Sequence, residues 1–207
     1  PAEPAELAPV MTGRIPDPAG DTATIRIRPA RSDEAATVKA IVTEAFLDLY
    51  RDLDHPNPRP TTVDYAVPIA RGEVWAIDGT GDESNRAGTI GVLLLEPHAG
   101  YLRIDILAIR PAFQHRGIGR QAIAFAEAEA RRRGVGQIRL YTNSAIERNL
   151  AFYRKLCFVE SCRWPHPKRP GETYADFVRH CAGDPGSSPD GGSGPDTALD
   201  PARRQAN

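Results

Sequence analysis

The sequence predicts an α+β domain in mixed layers, with a largely antiparallel sheet and one parallel crossover. Three observations carry this. Short strand-like runs at Ile25–Arg28, Val74–Asp78, Thr89–Leu95 and Tyr101–Ile109 are broken by turn-forming segments. A helical pattern opening at Gly117 lies between the run 101–109 and the next run, 137–143, so those two strands are joined by a crossover. A closing hairpin pairs 158–164 with 173–179. The 207 residues, 41% of them hydrophobic, suit one domain of ordinary size with tails.

The elements follow in order. Residues 1–22 are rich in Pro, Ala, Gly and acid without periodicity and read as a disordered tail, leaving 23–181 as the folded domain. Ile25-Arg26-Ile27-Arg28 alternates as a half-buried strand does. Ser32 is the expected N-cap of a first helix, with Asp33 and Glu34 in its first turn. Val38, Ile41, Val42, Ala45, Phe46 and Leu49 then recur at helical spacing. The stretch 51–72 is broken by Pro56, Pro58, Pro60 and Pro68, with room for a short helix near 61–67. Tyr101–Ile109 is apolar at most positions, as a central strand is. The helix from Gly117 buries Ile118, Ala122, Phe125 and Ala126 and stops at Arg131-Arg132-Arg133-Gly134, cations followed by a capping glycine. A helix over 147–156 precedes the hairpin, and 182–207, rich in Gly, Pro, Ser and Asp, reads as a second disordered tail.

Composition excludes several classes. A formal net charge of −1 gives no basic field for nucleic acid or membrane surfaces. No apolar run approaches the roughly 20 residues that span a bilayer. The first residues lack the basic and apolar regions of a signal peptide. Cys157, Cys162 and Cys181 form no C-x-x-C and read as reduced thiols of a cytoplasmic protein. His55, His98, His115, His166 and His180 have no ligand spacing, so no metal is expected.

The chemistry concentrates at 105–120. A strand runs into Pro111, and a loop delivers Gln114, His115, Arg116, Gly117, Ile118, Gly119 and Arg120 to a helix start. A helix N-terminus presents unpaired N–H groups and partial positive charge, which makes it an anion site. Glycines without a Cβ let a phosphate approach the main chain, and Arg116 and Arg120 add forked donors. Gly117-x-Gly119-x-x-Ala122 also fits a dinucleotide fingerprint, but the turn from the strand is long and strand 137–143 ends without a carboxylate. The Gly-Lys-Ser/Thr of a Walker loop is absent from the segment.

Gln114-His115-Arg116-Gly117-Ile118-Gly119 fits Q/R-x-x-G-x-G/A and resembles the acyl-CoA pyrophosphate loop of the GNAT N-acetyltransferase superfamily. Its flanks strengthen the likeness. Ile106–Pro111 resembles the family's strand ending in Val-x-Pro, and Asn149–Phe158 its N-x-A-x-Y-x-K-x-G-F helix. The resemblance implies a GNAT-like sheet of six to seven strands with about four helices and its central strands splayed. Acetyl-CoA, as acyl donor, would lie in the splay. The main chain of Leu107, Ala108 and Ile109 would pair with its pantetheine arm, and one N–H would polarise the thioester, a donor worth on the order of 3 kcal/mol in the barrier.

It further implies Tyr153 as the general acid that protonates the CoA thiolate, and Asn149, one turn earlier, as a contact to the cofactor arm. A phenol near pKa 10 is protonated at pH 7. Two positions depart from the family pattern. Cys157 stands where Gly is usual, which costs roughly 1 kcal/mol if the backbone there is left-handed. Asp105 stands where Glu is common. A base is needed because a lysine-like amine costs about 4–5 kcal/mol to deprotonate at pH 7. Asp105 is the candidate, through one water, with Glu96 and Glu73 as lesser ones; its other reading is an ion pair with Arg103 or another neighbour.

By analogy the acceptor pocket draws on Tyr50, Asp52, Asp54, His55, Trp75, Trp164 and Tyr174, with Asp48, Asp52 and Asp54 attracting a cationic amine and Trp164 stacking on it. The expected activity is acetyl transfer from acetyl-CoA to a primary amine, on a small molecule or a protein, by direct attack in a ternary complex. The expected protein is a monomer or homodimer without nucleic-acid or membrane partners. Competing classes are an acyl-CoA-binding sensor without catalysis and a nicotinamide oxidoreductase.

Overall fold

The computed structural model describes residues 11–12, 25–53, 58–79 and 88–181. Most of both expected tails, the turn at 80–87, and Asp54 and His55 lie outside the described residues. The chain divides into two compact units: residues up to Pro97 with Ile104–Ala128, and His98–Arg103 with Glu129 onward. The boundary cuts through three elements, two strands and a helix.

In the first unit the strands are β1 (Met11–Thr12), β2 (Ile25–Pro29), β3 (Val74–Gly79), β4 (Thr89–His98) and the greater part of β5 (Tyr101–Ile109), in that order across the sheet. β1–β2, β2–β3 and β3–β4 pair antiparallel, with Ile27↔Ile77 and Trp75↔Leu93 in register. The helices are α1 (Ala35–Leu49), the short α2 (Ala66–Ala70), and α3 (Ile118–Arg132), which begins here. Val38, Ile41, Val42 and Ala45 of α1 pack with Tyr65, Ile69, Val74, Val92, Leu94, Ile106 and Ala108 in one core. Burying each large apolar side chain contributes about 1.5–3 kcal/mol. Ile118, Ala122, Phe125 and Ala126 are buried as their spacing predicts, and Phe125 meets Trp75 edge-on at 4.7 Å.

The entry to α1 differs from expectation. Ser32 opens a single 3-10 turn, Ser32–Glu34, and caps nothing; the Arg31 N–H donates to the Glu34 carboxylate at 2.7 Å. Glu34 is buried because Arg28 forks onto it, at 2.8 Å to each oxygen, while also reaching Asp78. Local cap preference yields to this ion cluster. The Arg28 hydrogen bonds hold Glu34 down to a pKa of about 2 against the opposing effect of burial.

In the second unit the order is β5, β6 (Gln137–Asn143), β8 (Thr173–His180), β7 (Val159–Pro165). β5 and β6 are parallel, as the crossover predicts, and their pairing covers Leu102↔Ile138 and Arg103↔Arg139. β6–β8 and β7–β8 are antiparallel. α4 (Glu147–Lys155) is the unit's own helix. Gly134, at φ +70, follows the last turn of α3 where the cationic stop predicted it. Among the described residues, no helix is long and apolar enough to cross a membrane.

Candidate active site

The strand–loop–helix segment of the first unit is built from main-chain turns. Pro111–Phe113 form a 3-10 turn, with Phe113 N–H on Arg110 O at 2.9 Å and Gln114 N–H on Pro111 O at 3.2 Å. Gln114 then turns back: its Nε2 donates to Ile109 O at 2.9 Å, tying the loop to the strand it left. His115 and Gly117 both have left-handed backbones, φ +62 and +75, on either side of Arg116. A left-handed non-glycine residue is uncommon, and such strain collects at functional sites. Gly117 O accepts from Gln121 N–H at 3.1 Å, and α3 starts at Ile118, whose buried side chain anchors the turn. His115, Arg116 and Arg120 are exposed, and the Arg116 guanidinium lies 5.5 Å over the Phe113 ring. Motif residues 114–120 are thus brought together at one helix start, with Leu107 half-buried and Ala108 and Ile109 buried just before them. Gly91 of β4 makes this possible: a Cβ there would sit 2.9 Å from Ala108 O and 2.6 Å from Ile109 Cδ1.

Asp105 makes an ion pair with Arg59, a partner that the sequence left unnamed. Its side chain is 3% exposed, and Arg59 Nη1 and Nη2 approach the same Oδ2 at 3.3 and 3.4 Å. Tyr65 donates to Pro60 O at 2.8 Å, and burial, then the charge of Asp105, raises its phenol pKa. Arg59 and Tyr65 sit in a proline-rich segment 40 or more residues before Asp105, and no local pattern connects them.

In the second unit, Asn149 and Tyr153 share one side of α4. Asn149 Nδ2 donates to Thr142 Oγ1 of β6 at 3.1 Å. The Tyr153 ring packs against Phe152, Phe158 and Phe177 at 5.2, 5.7 and 5.9 Å. Burial pushes its phenol up to about 12. After α4, Cys157 adopts φ +60, a left-handed backbone that glycine takes up without strain. Cys157 N–H bonds Arg154 O at 3.0 Å and Phe158 N–H bonds Tyr153 O at 3.1 Å, a complete Schellman stop.

The residues expected around the acceptor fall in both units. Trp75 is 3% exposed and belongs to the core, so it lines no open pocket. Tyr50 stacks on Phe46, Asp48 pairs with Arg51, and Asp52 is exposed. Trp164 and Tyr174 do meet, with centroids 4.5 Å apart, and Trp164 Nε1 donates to buried Asp176 at 2.9 Å.

These elements define an α+β chain with a mixed, mostly antiparallel sheet and a glycine loop opening a helix after a central strand. The family profile described as "Acetyltransferase (GNAT) family" matches residues 41–158, more than half of the chain, and the chain belongs to that family. Solved structures share the fold. A PaiA N-acetyltransferase from Thermoplasma acidophilum in complex with coenzyme A aligns at TM-score 0.58 and 17% identity over 74% of this chain and 98% of that one. The ribosomal-protein-S18-alanine N-acetyltransferase of Escherichia coli aligns at 0.60 and 15%, over 78% and 96%. The NatC complex bound to Gag peptide and CoA aligns at 0.58 and 15%, over 76% and 99%. No curated protein matches the chain by sequence.

Proposed function

We propose that residues 23–181 form a cytoplasmic N-acetyltransferase domain that moves an acetyl group from acetyl-CoA to a primary amine by direct attack in a ternary complex. The observation that carries the reading is the loop at 114–117, with left-handed residues on both sides of Arg116 and its glutamine tied to Ile109 O. The N–H groups of the first α3 turn, which lack intrahelical acceptors, and the exposed Arg116 and Arg120 beside them support a pyrophosphate site. Acetyl-CoA supplies the activated thioester. Main-chain groups of Leu107, Ala108 and Ile109 orient it and polarise its carbonyl, and Asn149 supports the arm. Tyr153 keeps its proton at neutral pH and gives it to the departing sulfur. Asp105 receives the proton of the acceptor ammonium. Structures of the same fold bound to coenzyme A or to a peptide and CoA, and one named as a ribosomal-protein-S18-alanine N-acetyltransferase, support an amine acceptor, on a small molecule or a protein.

The test has two arms. Calorimetry of acetyl-CoA against wild type and Gly119→Glu should show binding that the variant loses, since bulk and negative charge enter the phosphate site; tight binding by the variant refutes the cradle. Release of CoA thiol across an amine panel should then find an acceptor. Binding with no turnover on any amine would make the chain a sensor.

A further inference from the structure

We propose that Arg110, clasped by Glu44 of α1, is a positioning residue that holds the cofactor loop in its binding shape. The inference rests on the cofactor-binding reading above and extends the support of that site to α1.

A strained loop keeps its form only where its surroundings over-determine it. His115 and Gly117 are both left-handed, so the segment needs anchors. Gln114 ties it to Ile109 O, the end of its own strand. That end must be fixed in turn, and Pro111, which follows, has no N–H to offer. Arg110 stands between the two and is engaged by main chain and side chain at once. Its N–H donates to Ile90 O of β4 at 2.9 Å, and its carbonyl accepts Phe113 N–H at 2.9 Å. Its Nε reaches Thr89 O at 3.4 Å, and its Nη1 bonds the Glu44 carboxylate of α1. α1 also lies against the turn Pro111–Phe113. One side chain thus joins the start of β4 to α1 at the point where the chain leaves the sheet for the loop.

α1 is a firm mooring for that clasp. Ile41, Val42 and Ala45, on either side of Glu44 in sequence, are buried in the core of this unit. The Glu44 and Arg110 side chains stay 43% and 32% exposed. An exposed pair adds little to global stability. Its effect falls on the segment it restrains: a loop left without it must be ordered as the cofactor docks, and affinity drops. Charge alone predicts the opposite. Neutralising Glu44 removes an anion paired with the residue that opens the loop, which strengthens the pull on an incoming diphosphate. The sign of the change therefore separates restraint from field.

The experiment is calorimetry of acetyl-CoA against the full chain as wild type, Glu44→Gln, Arg110→Gln and the double variant, with a thermal melt of each. Glu44→Gln should raise Kd by about five- to tenfold, the coupling expected of residues in one network. Its melting midpoint should stay within about 3 °C of wild type, as for an exposed pair. The double variant should bind no more weakly than Arg110→Gln alone, because Glu44 acts through Arg110. An unchanged or lower Kd in Glu44→Gln overturns the proposal while leaving the cofactor site intact, as does full additivity of the two changes. If Arg110→Gln does not fold, the Kd of Glu44→Gln decides by itself. A wild-type chain that binds no acetyl-CoA removes the cofactor reading and this one together.

Discussion

The Tyr153 ring lies 5.7 Å from that of Phe158, and the same two residues are joined by a 3.1 Å bond from Phe158 N–H to Tyr153 O. The helix stop and the ring contact are therefore one structure. The residue between Leu156 and Phe158 must be left-handed for the bond to close, so Cys157 holds the packing of Tyr153 from the other side of the turn.

Cys157→Gly should stabilise the protein. A left-handed L-residue costs roughly 1–2 kcal/mol, partly offset by the greater chain entropy of glycine, so a net gain of about 0.5–1 kcal/mol is expected. Thermal or urea melting checks this, and a lower midpoint would contradict it.

Tyr153→Phe removes the phenol and keeps the ring contacts. Turnover of whichever amine is accepted should fall by roughly 10²–10³-fold, the range of general acid catalysis, with acetyl-CoA affinity near normal. Because the phenol titrates at about 12, wild-type turnover should show no loss from its ionisation up to pH 10. Unchanged turnover in the variant takes Tyr153 out of the mechanism.

Gly91→Ala should be costly for the addition of one methyl at a buried position. The Ile109 Cδ1 contact at 2.6 Å is relieved by a rotamer, but Ala108 O at 2.9 Å is main chain and must shift. Overpacking of this kind costs about 1–3 kcal/mol. The midpoint of melting should drop, and acetyl-CoA affinity with it, since Ala108 and Ile109 belong to the proposed cofactor strand.

Acid should weaken the protein through Glu34. Its folded pKa, about 2, is depressed below the unfolded value of 4.5. The contribution is therefore present above about pH 4.5 and is lost as pH falls toward 2, with a size on the order of 2–3 kcal/mol. Urea melts from pH 6 to 2.5 should show that decline, and Glu34→Gln should flatten it while lowering stability at pH 7.

The legible parts of the chain were those whose signal is local. The strand runs, the helix from Gly117 to its cationic stop and the motif at 114–119 all appear where periodicity and punctuation put them. Even the strain at Cys157 was readable, as a glycine position lacking glycine. What escaped was set by partners distant in the chain. Glu34 is drawn inward by Arg28 and overrides Ser32 as cap. Arg59 reaches Asp105 across 46 positions. Gly91 needs its missing Cβ only because another strand passes close by. His115 is left-handed within a motif whose pattern leaves that position open.

The bond from Gln114 Nε2 to Ile109 O fastens the loop to its strand by the chain's own atoms, with no visitor required. A segment already set in its working shape surrenders little freedom when something docks on it. Encounter with a nucleotide ester should accordingly be fast and single-phased in stopped flow.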